Sequence, residues 1–105
     1  MVNKNFTITR GNTLQFRLNF INGDIVPTEL KFILKNKSSD SESVFELSLG
    51  NGIIKVPDMY SYDFYIPASY TENLELLNYI YQIEMRYDQD CATLVEGKLI
   101  ITPEL

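Results

Sequence analysis

The chain has 105 residues, which is enough for one domain with one core and too few for a second. It carries 14 acidic and 9 basic side chains, for a net charge of −5 and an isoelectric point near 4.6. No basic run is present to neutralise phosphates. We therefore expect that the protein does not bind nucleic acid or an anionic membrane surface.

The single cysteine, Cys91, cannot form an internal disulfide. The fold therefore does not depend on an oxidising compartment, and we expect folding in a reducing cytoplasm. The N-terminal stretch "MVNKNFTITRG" lacks the apolar segment and the small-residue cleavage site of a secretory signal. No apolar run reaches the roughly 20 residues of a membrane-spanning helix. We therefore expect a protein with no membrane association.

The first third of the chain alternates between apolar and polar residues. "NFTIT" predicts a short strand, and Gly11 within "RGN" can take the positive φ of a turn. "TLQFRLNF" then predicts a strand with one buried face, and "INGDIVP" predicts a loop that bends at residues 22–24. "ELKFILK" alternates again and predicts a further strand.

The middle of the chain begins with its most polar segment, "NKSSDSES", which predicts a surface loop. Three short strands are predicted after it, in "VFELSL", "IIKV" and "YSYDFYI". The alternation stops at residues 67–77, where we expect a short helical turn from which Leu74 and Leu77 reach the core.

A regular hairpin is predicted over residues 78–102. Its first arm alternates from Tyr79 to Tyr87, and its second arm points Val95, Leu99 and Ile101 inward, with Gly97 at a bend or bulge. Seven to eight short strands with turn signals between them predict an all-β fold, an antiparallel β-sandwich or barrel, as a single domain over residues 1–105. The predicted core contains the following eight residues: Phe16, Leu18, Phe32, Phe64, Tyr81, Ile83, Leu99 and Ile101.

The sequence predicts no catalytic residues, no metal site and no cofactor. The chain has no histidine, so the usual serine and cysteine nucleophile systems are absent. It also has no phosphate-binding glycine motif. Asp88 and Asp90 could hold Ca²⁺, but aspartate also suits a tight turn, which we favour. Asp40 and Glu42 are interpreted as solvated loop residues, and no cation is evident in the sequence to activate Cys91.

The aromatic and aliphatic residues suggest a surface role for some positions. Parity places Tyr60, Tyr62, Tyr79, Tyr81 and Tyr87 on buried faces, where core packing explains them. Four large apolar side chains have the opposite parity and would form an exposed patch if they cluster, or lie under loops if they do not. These candidate interface residues are Ile33, Tyr65, Ile80 and Ile100.

The opening and the closing half of the chain resemble a known family. "NFTITRGNTLQFRLNF" is similar to the opening of short phage structural domains, and "FYIPASYTENLE", "YIYQIEMRYD" and "TLVEGKLIITPEL" resemble their closing half. The family that these segments most resemble is the N-terminal immunoglobulin-like domain of phage baseplate upper proteins, with related tail and capsid-decorating modules. Residues 22–58 lie outside the likeness. Asn78 replaces a frequent glycine, and the end at Leu105 favours a free-standing accessory subunit.

The resemblance implies an immunoglobulin-like sandwich in a non-enzymatic phage virion protein, either a capsid decoration subunit or a tail or baseplate component. Its partners would be other virion proteins, such as major capsid, tail or baseplate subunits, or further copies of itself. Its location would be the virion, assembled in the host cytoplasm. The alternative is a carbohydrate-binding or adhesion module that uses exposed tyrosines.

A final expectation concerns the closing strand "GKLIITPEL". It contains few of the features that protect a sheet edge from pairing, namely Lys98 and a late Pro103. We therefore predict an open edge there that another subunit could extend, with Ile80 and Ile100 adding apolar contact beside it.

Overall fold

The computed structural model describes residues 2–20, 26–37, 42–75 and 78–103. Nine strands and one short helix occupy this part of the chain. The strands are β1 (Val2–Asn3), β2 (Phe6–Thr9), β3 (Leu14–Asn19), β4 (Glu29–Lys35), β5 (Phe45–Leu49), β6 (Gly52–Lys55), β7 (Ser61–Ile66), β8 (Asn78–Tyr87) and β9 (Asp90–Thr102), and the helix α1 is Ala68–Thr71. The described part contains no helix long and apolar enough to cross a membrane.

The strands form one hydrogen-bonded sheet that curls over on itself. Its order is β1–β9–β8–β4–β5–β6–β7–β3, and β2 also pairs with β9. The ring of Phe16 in β3 stacks on Phe6 of β2 at 4.8 Å and lies 6.1 Å from Phe32 of β4, although β3 is far from both strands in the sheet order. The layer from β1 and β2 to β5 therefore faces the layer formed by β6, β7 and β3, and the predicted β-sandwich is confirmed.

Alternation of apolar and polar side chains selects which face of each strand is buried. Leu30, Phe32 and Leu34 of β4 are fully buried, and the side chains between them are more exposed. The same pattern holds along β7 and β8. Of the eight predicted core residues, six are buried, and Phe16 and Leu18 are half-buried because β3 is the end strand of its layer.

Parallel pairing covers the edge of β9. Asn3 pairs with Glu96 through β1, and β2 pairs with β9 from Phe6 opposite Leu99 to Thr9 opposite Thr102. The prediction of an open edge in "GKLIITPEL" is therefore wrong, because the N-terminal strands occupy that edge.

Gly97 lies within β9 rather than at a bend. It pairs with Tyr81, and the register shift of the hairpin falls instead after Ile83, opposite Leu94. A Cβ atom on Gly97 would overlap the carbonyl oxygen of Lys4 and lie 2.6 Å from its carbonyl carbon. Glycine is required here because the N-terminal backbone passes directly over it.

One expectation about burial changes, another about the helical turn is confirmed, and the others fall outside the described residues. Tyr60 is 57% exposed rather than buried, because β7 begins at Ser61 and Tyr60 lies in the preceding bend. The helical turn predicted over residues 67–77 is confirmed as the short helix α1, and Leu74 is buried as expected. Leu77, Asp40 and the bend at residues 22–24 lie outside the described residues.

Candidate functional site

Three of the four predicted interface residues lie together on one face. Ile80 in β8 pairs with Lys35 of β4 and Lys98 of β9, which makes Ile33 and Ile100 its diagonal neighbours. Diagonal neighbours on one face of an antiparallel pair are about 7–8 Å apart, within reach of large side chains. All three isoleucines are half-buried. We call this line of side chains, Ile33, Ile80 and Ile100, the isoleucine diagonal.

Charged side chains flank the isoleucine diagonal on both sides. Lys35 and Lys98 lie on either side of Ile80, and Glu46 lies beside Ile33 on β5. The aliphatic stems of lysines cover apolar surface while their ammonium groups remain in water. The face therefore has an apolar centre with charges of both signs around it.

Tyr65, the fourth predicted interface residue, lies on the opposite side of the sandwich. It is on the outer face of β7, where its side chain is 44% exposed. Ile54 of β6 pairs with Asp63 and is therefore the diagonal neighbour of Tyr65, and it is 65% exposed. The sequence analysis missed Ile54. The segment "IIKV" did contain a signal, because one of two consecutive isoleucines in a strand must face outward, but so short a strand does not show which one.

An ion pair lies beside these two exposed side chains. The guanidinium of Arg17 donates to both carboxylate oxygens of Asp63, from Nε at 2.6 Å and from an Nη at 3.1 Å. These hydrogen bonds lower the pKa of Asp63 and raise that of Arg17. With Gln15, the ion pair and the two apolar groups line an open depression of about 460 Å³. We call this surface the Tyr65 patch; it consists of Gln15, Arg17, Ile54, Asp63 and Tyr65.

The weaker candidates from the sequence lie at the tip of the hairpin and in the loop before β5. Asp88 has a φ of 49°, the left-handed conformation that aspartate tolerates in turns. Within the described ranges, no group of three or more histidine, cysteine, aspartate or glutamate side chains is placed to hold a metal ion. Cys91 is free and exposed, and its cross-strand neighbour is Arg86, a cation that the sequence alone did not reveal. Glu42 is exposed.

Comparison with known proteins supports the fold alone. No protein-family model and no curated protein sequence matches the chain. Among solved structures, the extracellular domain of mouse leukocyte-associated immunoglobulin-like receptor 1, crystallised as a strand-swapped dimer, matches with a TM-score of 0.55 and 11% identity. The match covers 93% of this chain and 87% of that one. The chain is therefore an immunoglobulin-like β-sandwich.

The core contains aromatic rings where antibody domains have a disulfide. In those domains the hydroxyl of a tyrosine near the start of the sixth strand forms a hydrogen bond with the backbone a few residues upstream. The second cysteine of the disulfide follows two residues after that tyrosine. Here the hydroxyl of Tyr79 accepts a hydrogen bond from the backbone N–H of Glu75 at 3.0 Å, and Tyr81 occupies the later position. The Tyr81 ring stacks on Phe32 at 5.2 Å. Phe32 in turn lies 6.1 Å from Phe16 of the facing layer, so aromatic packing joins the two layers without a covalent link.

Proposed function

We propose that this chain is a non-enzymatic structural subunit of a phage virion, a capsid decoration or a tail or baseplate component, that acts through protein–protein contacts. The resemblance of its opening and closing segments to phage structural domains supports the virion part of the proposal. The observation that carries the contact part is the Tyr65 patch. Two neighbouring apolar side chains, Ile54 and Tyr65, stand out from a sheet face that a free monomer would normally keep polar.

The second apolar surface gives the proposal its geometry. The isoleucine diagonal and the Tyr65 patch lie on the outer faces of opposite layers of the sandwich. A subunit with docking surfaces on opposite sides can bind two neighbours at once, as assembly in a shell or a tube requires. Tyrosine is enriched in such contacts because its ring supplies area and its hydroxyl supplies a hydrogen bond.

Analysis of purified virus particles tests the proposal. Particles from the host that carries this gene should contain the chain at a fixed ratio to the major capsid protein, measured by quantitative mass spectrometry. Tyr65→Asp should lower that ratio by about tenfold or more, because a carboxylate without a partner is costly to bury. Tyr60→Asp is the matched control, since Tyr60 is exposed but lies outside the patch. Absence of the wild-type chain from particles would refute the virion proposal.

The isoleucine diagonal is tested in the same particles. Ile80→Asp and Ile100→Asp should each reduce the amount of chain incorporated, and circular dichroism of the purified variants should show that they remain folded. Wild-type incorporation of both folded variants would restrict docking to the Tyr65 patch.

The carbohydrate-binding alternative has weaker support. Such a module needs aromatic rings on one shared platform. Tyr60 precedes β7, Tyr65 is on the outer face of β7, and Tyr70 of α1 packs on the ring of Phe45 at 5.1 Å. These exposed tyrosines belong to different surfaces, so no specific observation favours glycan binding.

A further inference from the structure

The two layers of the sandwich differ in width at one side. β1 and β2 extend one layer beyond β9, and the facing layer stops at β3. Val2 pairs with the buried Val95 and so points to the inner face of its layer, yet it is 60% exposed. In constant-type immunoglobulin sandwiches the first strand and the last strand belong to different layers. Here the first strands pair with the last strand, β9. An inner-facing valine is exposed because nothing in the facing layer covers it.

An apolar groove runs along this side of the molecule. The inward side chains of β3, which include Phe16 and Leu18, are half-buried, whereas those of the neighbouring strand β7 are fully buried. The space between β3 and the N-terminal strands measures about 160 Å³, and its floor reaches the core. Its apolar lining is formed by Val2, Phe6, Phe16, Leu18, Tyr81 and Ile83.

The backbone of β3 has a free hydrogen-bonding edge beside the groove. The N–H of Phe20 donates to the carbonyl oxygen of Tyr60 at 2.8 Å, which continues the antiparallel pairing of β3 with β7. Because such pairs alternate, the backbone groups of Gln15, Arg17 and Asn19 point away from β7. No strand in the described part of the chain pairs with that edge. Three consecutive outward positions are thus open to a further strand.

A cation lies at the edge of the groove. Lys4 has the same parity as Val2 and Phe6, and its ammonium lies 5.6 Å from the centre of the Phe6 ring. Among the described residues it has no carboxylate within ion-pair distance. Arg17 also borders the groove, but its charge is balanced by Asp63. Because no described carboxylate pairs with Lys4, its positive charge favours an occupant with a carboxylate on its groove-facing side.

We propose that this groove binds an extended segment of another polypeptide that pairs with β3 as a fourth strand of its layer. The segment directs alternate apolar side chains onto Phe16 and Leu18 and places one carboxylate beside Lys4. Main-chain hydrogen bonds to Gln15, Arg17 and Asn19 supply affinity, and the groove supplies side-chain specificity. The groove is separate from the isoleucine diagonal and adjoins the Tyr65 patch, because the side chains of Gln15 and Arg17 belong to that patch while their backbone groups form the free edge. The inference holds whether or not the chain is a virion protein.

The direct test is titration of the purified protein with a synthetic peptide of about nine residues, the length of a long strand. Threonine and valine alternate in this peptide, and one central valine is replaced by glutamate. NMR should show saturable shifts centred on the amides of Gln15, Arg17 and Asn19, with new protection from hydrogen exchange. A peptide N-methylated along its β3-facing edge should bind at least tenfold more weakly. Equal binding of both peptides, or shifts elsewhere, would overturn the proposal.

Two variants separate the strand edge from the charge. Gln15→Pro removes an outward N–H without breaking the pairing with β7 and should weaken binding at least tenfold, whereas Gln15→Ala should bind like wild type. Lys4→Glu should weaken binding of the glutamate peptide and strengthen binding of a lysine version. Failure of this exchange would overturn the carboxylate assignment.

Sedimentation of the protein without peptide tests the other possible occupant of the edge, a second copy of this chain. We expect a monomer at the concentrations of the titration. A dimer that Gln15→Pro abolishes would overturn the proposal by assigning the edge to a second copy of this chain. Tyr65→Asp changes a side chain of β7, and Gln15→Pro changes the backbone edge of β3, so failure of particle incorporation and failure of peptide binding are distinguishable.

Discussion

Replacing Gly97 with alanine should detach the N-terminal strands from the sandwich. The added methyl group would overlap the Lys4 carbonyl and lie 3.1 Å from a ring carbon of Tyr81. Backbone cannot turn aside as a flexible side chain can, so the segment around Lys4 must move away from β9. The substitution therefore acts at one defined place, the crossing of the Lys4 backbone over β9, without removing any buried side chain.

The size of the loss follows from the contacts at this crossing. The Tyr81 hydroxyl donates to the Lys4 carbonyl at 2.6 Å, the Lys4 N–H donates to the Glu96 carbonyl at 3.1 Å, and the Lys98 N–H donates to the side-chain oxygen of Asn5 at 2.9 Å. Each hydrogen bond contributes about 1 kcal/mol. Loss of all three lowers the free energy of unfolding by about 3 kcal/mol. A strained structure that keeps them loses about 1–3 kcal/mol from overpacking.

Urea denaturation followed by tyrosine fluorescence measures this loss, because the chain has 7 tyrosines and no tryptophan. A loss of about 3 kcal/mol should lower the melting temperature by about 14 °C. Gly50→Ala is the control: Gly50 has a φ of 84° and open space around it, so alanine there adds about 1–2 kcal/mol of backbone strain without a clash. A loss below about 0.5 kcal/mol for Gly97→Ala, with unchanged amide protection in β2, would refute the close approach.

Three further predictions concern the core and the ion pair. Ile83→Ala should cost about 2–5 kcal/mol in urea denaturation because Ile83 is buried, whereas Ile54→Ala should cost under about 0.5 kcal/mol; similar losses would contradict the burial pattern. Burial raises the pKa of Tyr81 to about 12, so stability should hold up to pH near 10, the ordinary tyrosine pKa, and fall as pH rises further toward 12. Tyr81→Phe should flatten that fall, and an identical pH profile would count against it. Hydrogen bonds from Arg17 lower the pKa of Asp63, so the stability they add is present above the ordinary carboxyl pKa and is lost as pH falls through the lowered value. Arg17→Gln should raise the Asp63 pKa in an NMR titration, and an unchanged value would exclude Arg17 as the cause.

Local alternation in the sequence carried most of the information about the strands. "ELKFILK" and "NYIYQIEMRY" specified which side chains of β4 and β8 are buried, since a strand with one solvated face repeats every two residues. The same parity placed Ile33, Ile80 and Ile100 outward, whereas their alignment across three strands follows from pairing that parity does not give. Tyr60 shows where this argument stops, because parity cannot say whether a residue is the first of a strand or the last of a bend.

Non-local pairing could not be predicted from such patterns. β2 and β9 lie at opposite ends of the sequence, and a parallel pair has no connecting turn to indicate it. The close approach of the Lys4 backbone to Gly97 depends on that pairing, which is why Gly97 suggested a bulge instead. Ile54 was missed because its strand has four residues, too few to establish an alternation.

The parallel alignment of β2 on β9 also determines how the domain bears mechanical load. Tension applied between residue 2 and residue 103 pulls the two strands along their length in opposite directions. The hydrogen bonds between them then lie across the direction of force and are strained together, whereas the bonds of a hairpin pulled from its open end break one after another. The rate of forced unfolding therefore depends on the simultaneous rupture of this ladder. A domain joined to its neighbours through these two ends would resist stretching far better than its modest size suggests.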